Sequence, residues 1–306
     1  MSATNPYTNT EASIDDGIAV APPCKSARPT LAVIRIAGDD AGDFLHGQFS
    51  GDIRALNAGH TLLTAWCSAK GRVLFLPRLL REANGTYYAL LPTDQSAAFI
   101  KRLRLFVLRA KLTIEDCSLS HGVLVIDGAD APAVATDVVP AVDGERRWLL
   151  GPRDKLARLW DELNVPTQGD KAACLTDIAR GEALLVASLS DQFLPQELNL
   201  DVLAGVSFNK GCYPGQEIIA RIKFRGSVKR RVQRVRVASS VAPLPGARLL
   251  DADDVFHGTV LISAPCGAGR CEALAVIDID AGALHLAGAS AATLATLPLP
   301  YALTGA

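Results

Sequence analysis

The residues best suited to chemistry lie in one short segment, 208–217, with the sequence FNKGCYPGQE. Pro214 suits the first turn of a helix, so we predict a helix that continues from Gln216 to about residue 223. Cys212 would face the positive end of that helix, and Lys210 lies two residues away. Both positive charges favour the thiolate, the form that attacks electrophiles and binds metals. Cys212 and Lys210 are therefore the candidate catalytic residues, and the alternative is a buried cysteine in a tight turn.

Positive charge is concentrated beside this cysteine. Residues 210–236 contain nine basic residues and one acid, Glu217, although the formal net charge of the chain is −1. The nine are Lys210, Arg221, Lys223, Arg225, Lys229, Arg230, Arg231, Arg234 and Arg236. Such an excess indicates an anionic partner, either the carboxylates of a small ligand or the phosphates of RNA. The alternative is that the residues after 226 form the solvated face of an edge strand.

Polar side chains near Cys212 in the sequence offer further binding groups. Glu217 and Arg221 are four residues apart, a spacing that usually means an exposed ion pair on a helix. In the first helical turn, Glu217 could instead accept hydrogen bonds from a ring-shaped ligand or orient Arg221 toward an anion. Gln196 and Asn199 precede the segment, and caps and turns explain some residues of this kind.

Apolar periodicity predicts the elements that position these residues. Strands are expected at 31–36, 61–69 and 73–80, and the Asn84-Gly85 pair predicts a hairpin. Helices are expected from about 40 to 45, 95 to 106, 154 to 164 and 176 to 186. Strands and helices alternate without a strict β-α-β rhythm, which indicates an α+β fold.

The chain divides into three predicted regions. Residues 1–28 carry acids and no early Lys or Arg, so they predict a poorly ordered tail and not a targeting peptide. Residues 29–227 form the main α+β region. From residue 228 to residue 306 the apolar pattern has a period of two between turn sequences, which predicts a small β-barrel. Cys266 and Cys271 have no second pair to complete a metal site, so we interpret them as the tip of a hairpin.

Composition excludes several functional classes. The chain has 306 residues, 49% of them hydrophobic, and no apolar run reaches the ~20 residues of a membrane span. The seven cysteines are odd in number and mostly lie among apolar residues, which predicts reduced thiols and a cytoplasmic protein. The sequence contains no Gly-rich nucleotide loop, and the five histidines form no ligand cluster, so neither nucleotide chemistry nor a metal site is expected.

Several sequence motifs resemble a known family. The string LPQELNLDVLAGVSFNKGCYPGQEIIARIKFRG, at 194–226, resembles the signature of the YgfZ-type folate-binding proteins, which are relatives of the T-protein of glycine cleavage. Further similar motifs are GDDAGDFLHGQ at 38–48, SAKGR at 68–72, KRL at 101–103, LRAK at 108–111 and LPLPY at 297–301.

The resemblance implies a T-protein-like fold, with mixed sheets and helices around a central cavity and a small C-terminal β-barrel. It also implies that tetrahydrofolate binds in this cavity and supports synthesis or repair of iron-sulfur clusters in client enzymes, including tRNA-modifying ones. Cys212 would supply the reactive thiol, and any cluster contact would be transient because one cysteine cannot hold a cluster alone. The candidate folate contacts are Tyr213, Gln216, Glu217, Arg221, Arg225, Gln196 and Asn199.

The sequence departs from the T-protein relatives at two places, the first of which argues against a standard pterin contact and the second against aminomethyl transfer. The acidic residue that often precedes an Ala-Gly pair in T-protein relatives is replaced by Ala179, and the segment 70–76 contains no carboxylate to assist the reaction. The sequence therefore does not decide whether the chain is an enzyme. Two alternatives remain: a folate-dependent one-carbon transferase, and an RNA-binding module that uses the basic residues of 210–236. Direct nucleic-acid binding is disfavoured because only Tyr213 and Phe224 are aromatic there.

Overall fold

The computed structural model describes residues 5–7, 21–130 and 134–303. The strands are β1 (Cys24–Ala27), β2 (Leu31–Ala37), β3 (Thr61–Leu63), β4 (Trp66–Cys67), β5 (Val73–Phe75), β6 (Arg78–Arg81), β7 (Tyr87–Pro92), β8 (Thr113–Asp116), β9 (His121–Asp127), β10 (Val139–Asp143), β11 (Arg146–Pro152), β12 (Arg230–Val237), β13 (Arg248–Leu250), β14 (Phe256–Pro265), β15 (Cys271–Asp278), β16 (His285–Leu286) and β17 (Ala289–Leu297). The helices are α1 (Ala41–Gln48), α2 (Ser96–Arg104), α3 (Arg153–Glu162), α4 (Asp170–Arg180) and α5 (Gln216–Arg225). Short 3₁₀ turns occupy Thr93–Gln95 and Ala187–Leu189.

Two antiparallel sheets form the centre of the main region. The first has the strand order β1-β9-β11-β10, and the second has the order β3-β6-β7-β2-β8. The β-branched run at 31–37 forms β2, an inner strand that pairs with both β7 and β8. The Asn84-Gly85 turn joins β6 to β7, and Gly85 adopts the positive φ of +85° that such turns use. The predicted hairpin is therefore confirmed.

Apolar faces stack these sheets and their helices into layers. Val33 and Leu90 of the second sheet pack against Val125 and Leu150 of the first, so the two sheets share a core. The outer face of the second sheet is covered by α1 and α2, and the outer face of the first sheet by α3. This arrangement confirms the α+β prediction.

The remaining elements lead from the sheets to a closed barrel. One hydrophobic cluster joins α4, the segment 183–219 and the barrel strands β12, β14 and β15. The barrel has the strand order β12-β15-β14-β13-β16-β17, which confirms the predicted C-terminal barrel. The turn between β14 and β15 carries Cys266, and none of the seven cysteines, all of which lie in the described residues, forms a disulfide.

Some element boundaries differ from the prediction. The long strands expected at 61–69 and 73–80 are divided into β3, β4, β5 and β6, with β4 and β5 forming a separate ribbon. The helix expected at 176–186 instead spans Asp170–Arg180, because Gly181 adopts a left-handed φ of +68° that ends it. Strand β1 lies inside the segment expected to be a poorly ordered tail, whereas residues 1–4 and 8–20 lie outside the described residues. Within the described residues, no helix has the length and apolar character needed to cross a membrane.

Candidate functional site

A central cavity of about 250 Å³ lies where both sheets meet α4 and the barrel. Its apolar wall comes from leucines of the second sheet and from Ile262 of the barrel. Its charged lining comes from β1–β2, β6, β11, α4 and the chain that follows α4: Arg28, Arg78, Arg146, Asp170, Asp177 and Glu182. The cavity therefore combines an apolar surface with several ionised groups, which is typical of a site for a small organic ligand.

Asp177 of α4 is the central carboxylate of the cavity. Arg28 donates two hydrogen bonds to it, at 2.7 and 3.1 Å, and Arg146 donates a third at 2.6 Å. Arg146 also forms a fork with Asp127, the residue opposite it on β9, at 2.7 and 3.2 Å. Burial alone would raise the pKa of Asp177, but the charges of Arg28 and Arg146 outweigh it and lower that pKa. Asp177 is therefore held as an anion inside the cavity.

A second ion cluster closes another side of the cavity. Arg78 of β6 donates to Asp143 at 2.8 Å and to Thr61 at 2.9 Å, and it also pairs with Glu182. Arg180 bonds the other carboxylate oxygen of Glu182 at 2.9 Å. Because each charge has opposite charges as partners, the cluster can remain ionised at low exposure to solvent.

Trp148 of β11 links the two ion clusters. The guanidinium carbon of Arg78 lies 4.8 Å from its ring centroid, and that of Arg146 lies 5.6 Å away. The indole Nε1 is buried and has no hydrogen-bond partner within the part of the chain that the structure describes. Trp148 lines the cavity, and its Nε1–H is a donor that the described residues do not use. An apolar wall, a carboxylate and an indole N–H suit a flat heteroaromatic ring with polar edges.

The Cys212 segment occupies a different position. Cys212 is exposed and does not line the cavity. The ammonium of Lys210 donates to the carbonyl oxygens of His46, Phe49 and Gly51, the last two at 2.6 and 2.9 Å. Burial lowers the pKa of Lys210 to about 8. Lys210 thus fastens the Cys212 segment to the end of α1.

Three predicted ligand contacts are buried within the protein. Gln196 donates to the carbonyl oxygen of Ile219 at 2.8 Å, and Asn199 donates to that of Val232 at 2.9 Å. Tyr213 packs in the hydrophobic cluster beneath the loop, and burial raises the pKa of its hydroxyl. These side chains connect the Cys212 segment and the barrel, and none of them lines the cavity.

The other predicted contacts lie on α5. Gln216 is partly buried, whereas Glu217, Arg221 and Arg225 are exposed, and the cavity includes none of the four. The spacing of Glu217 and Arg221 predicts an ion pair between them on the helix, but this pair does not form in the described residues.

The strand residues of the basic segment are neutralised by carboxylates. Arg230 pairs with Glu197 at 2.9 Å, and Arg231 pairs with Asp201 at 2.9 Å. Glu272 of β15 accepts from both Arg234 and Arg236. The interpretation of these residues as a solvated edge strand is wrong, because β12 pairs with β15 on one side and β17 on the other.

Sequence reasoning missed the polar lining of the cavity. Asp177 had a signal, because Asp170, Ala173, Cys174 and Asp177 follow a helical spacing that places them on one face of α4. Ala179, where an acidic residue was expected, faces a different opening beside the barrel. Arg28, Arg78, Arg146 and Trp148 come from three separate strands or their ends, so no local pattern connects them. The described residues contain no group of His, Cys, Asp and Glu able to hold a metal ion.

Comparisons with known proteins agree with this architecture. No family model matches the chain. The tRNA-modifying protein YgfZ of Cronobacter sakazakii is 31% identical, with 92% of this chain and 96% of that protein covered. The protein of the same name from Serratia proteamaculans is 33% identical, with 89% of this chain and 90% of that protein covered.

The fold has a solved counterpart. The glycine cleavage system aminomethyltransferase T from Bartonella henselae has a TM-score of 0.71 and 15% identity, covering 90% of this chain and 85% of that one. This likeness concerns the fold, whereas the sequence relatives extend over nearly the whole chain. The chain therefore belongs to the YgfZ family and has the T-protein fold.

Proposed function

We propose that this protein binds a reduced folate in its central cavity and acts in the cytoplasm in tetrahydrofolate-dependent synthesis or repair of iron-sulfur clusters. Its clients would be iron-sulfur enzymes, including tRNA-modifying ones, and Cys212 would be its reactive thiol. The observation that carries the folate proposal is a cavity lined by both Asp177 and Trp148, whose buried Nε1–H has no hydrogen-bond partner among the described residues.

The chemistry of a pterin ring fits these groups. A pterin carries N–H donors on one edge and a carbonyl oxygen beside them. Asp177 receives three hydrogen bonds from arginines, and a carboxylate has about four acceptor sites, so one remains for a ligand N–H. The Nε1–H of Trp148 would donate to the carbonyl oxygen. Leu76 and Leu90 would cover the ring faces and exclude water.

Cys212 would act outside the ring pocket. Its exposure allows a client protein or a small thiol compound to reach the sulfur. Lys210, whose ammonium is bonded to three carbonyls, would position the loop and would not take part in the chemistry. We assign the thiol to transient cluster contact, persulfide chemistry or redox exchange.

The cavity supports this function better than one-carbon transfer. Leu76 is the residue of segment 70–76 that lines the cavity, and it is apolar. A transferase would need a carboxylate there to assist the departure of the one-carbon group, and two acidic residues that line the cavity, Asp177 and Glu182, are already paired with arginines.

Calorimetric titration of tetrahydrofolate under anaerobic conditions tests the pocket. We expect saturable binding to the wild type. Trp148→Phe keeps an aromatic ring and removes the N–H, so it should weaken binding roughly tenfold, the effect of one lost hydrogen bond. Trp160→Phe, which changes a tryptophan on α3 away from the cavity, is the matched control and should bind as the wild type does. Failure of the wild type to bind would refute the folate proposal.

The thiol is tested separately. Cys212→Ser should bind tetrahydrofolate normally but fail to restore the activity of an iron-sulfur tRNA-modifying enzyme in cells that lack this protein. Cys117→Ser, at another free cysteine, should restore it. Full restoration by Cys212→Ser would refute the role of the thiol while leaving the folate site intact.

A further inference from the structure

Helix α5 is unusually exposed. Of its ten residues, only Ile219 is buried. Ile218 and Phe224 are 38% and 70% exposed, although both are large and apolar. A single exposed apolar residue needs no explanation, but a group of them beside a candidate reactive residue indicates a contact surface.

The exposed side chains share one side of the helix. We call this surface the α5 face: Ile218, Arg221, Phe224 and Arg225. At 3.6 residues per turn these four fall within an arc of roughly 120°, and the buried Ile219 points away from it. The α5 face therefore combines apolar and cationic groups, and all four side chains remain exposed.

The α5 face continues toward Cys212. The ring of Phe224 meets that of Phe208 edge to face, with centroids 6.1 Å apart. The Nζ of Lys223 lies over the ring of Phe208, 5.5 Å from its centroid. Cys212 is exposed in the short segment that connects Phe208 to α5. A partner seated on the α5 face would therefore lie beside the thiol.

Charge pairing distinguishes the kind of partner. Of the nine cations in residues 210–236, four arginines are paired with carboxylates and Lys210 is bonded to backbone carbonyls. The others have no carboxylate partner among the described residues: Arg221, Lys223, Arg225 and Lys229. Arg221, Lys223 and Arg225 lie on the same helix as Ile218 and Phe224, so cations and apolar side chains occur together, the pattern of a protein interface. Single-stranded RNA instead requires a long cationic groove with several stacking rings.

We propose that the α5 face is the docking site for an acidic segment of a partner protein that carries an apolar side chain. The apolar side chain covers Phe224 and Ile218, and the acidic residues pair with Arg221 and Arg225. The identification of this partner as an iron-sulfur client rests on the proposed function. Docking on the α5 face would bring that client to Cys212.

Fluorescence anisotropy of labelled probes tests the site. The first probe is a short glutamate-rich peptide with a central Leu-Phe pair, the second is an all-glutamate peptide of equal length, and the third is a single-stranded RNA of mixed sequence. We expect the first probe to bind the wild type most tightly. Phe224→Ala, and separately the pair Arg221→Glu with Arg225→Glu, should weaken it by at least about tenfold.

Matched variants lie on other surfaces. Leu119→Ala removes a side chain that is more exposed than Phe224, and Arg270→Glu reverses an exposed charge on the β14–β15 turn. Both should bind the first probe as the wild type does. No saturable binding of this probe, or equal losses in the control variants, would overturn the proposal. Tighter binding of the RNA with the same dependence on Phe224 and Arg225 would overturn it in favour of a nucleic-acid surface.

Titration of tetrahydrofolate into the same variants separates the two proposals. Folate binding should be unchanged by substitutions on the α5 face, because none of its residues lines the cavity. A wild type that binds the peptide but no folate would refute the folate site and leave the docking site intact. A wild type that binds folate but no peptide would refute the docking site alone.

Discussion

Removal of the Arg146 guanidinium tests how the cavity is held together. Arg146 is 1% exposed and donates two hydrogen bonds to Asp127 and one to Asp177. In Arg146→Met, Asp127 remains buried but loses the guanidinium with which it is paired. Asp177 also loses Arg146 but still has its ion pair with Arg28. Loss of one partner from a buried ion pair costs about 3–5 kcal/mol, so we expect a loss of this size in the free energy of unfolding at pH 7.

The adjacent residue supplies a matched control. Arg147 pairs with Asp130 at 3.1 Å, but their side chains are 23% and 94% exposed. Because an exposed ion pair contributes about 0–1 kcal/mol, Arg147→Met should cost no more than that. Urea unfolding followed by circular dichroism measures both variants. Equal losses in the two variants would refute the claim that the buried network stabilises the sheet and the cavity.

The pH dependence gives a second check on the same network. The pKa of Asp177 is below its ordinary value of 3.8, so its ion pairs stabilise the fold above that pH. This stabilisation is lost as the pH falls through the depressed pKa of the folded state. The difference between the wild type and Arg146→Met should therefore shrink as the pH is lowered from 7 to below 3.8. A difference that stays constant over this range would contradict the assignment.

Two further expectations concern the Cys212 segment. Gly215→Ala should lower the melting temperature, because Gly215 has a φ of +81° and an added Cβ would lie 2.5 Å from the carbonyl oxygen of Ser68. Gly211→Ala is the control and should change the melting temperature little, because the space around its added Cβ is open. Equal effects of the two variants would contradict this reasoning. Lys210→Met should lower the free energy of unfolding, measured in urea, by about 2 kcal/mol, because three backbone carbonyls lose a charged donor. Unchanged stability would show that Lys210 does not hold the Cys212 segment.

Local signals in the sequence predicted much of the fold. The β-branched run of β2, the Asn84-Gly85 hairpin and α5 after Pro214 formed as expected. Each depends on residues within about ten positions of one another, so periodicity and turn chemistry are sufficient. The α4 boundary was wrong by six residues at both ends, because the left-handed conformation of Gly181 and packing against the barrel decided where the helix lies.

The long motif at 194–226 also identified the family and drew attention to Cys212. However, it also suggested ligand contacts whose side chains form hydrogen bonds within the folded chain. Gln196 and Asn199 were predicted to contact a ligand, but tertiary packing buries both against α5 and β12. Their type and proximity in the sequence could not reveal this, because their partners are 23 and 33 residues away.

The sequence alone determined the α+β class, the C-terminal barrel, the family and a cysteine segment rich in positive charge. Tertiary structure decided which charges are neutralised and which groups line the cavity. Arg28, Arg146 and Asp177 lie in three distant parts of the chain and meet only when α4 closes over the sheets. A binding cavity is formed by long-range packing, and no local pattern of residues encodes the distances across it.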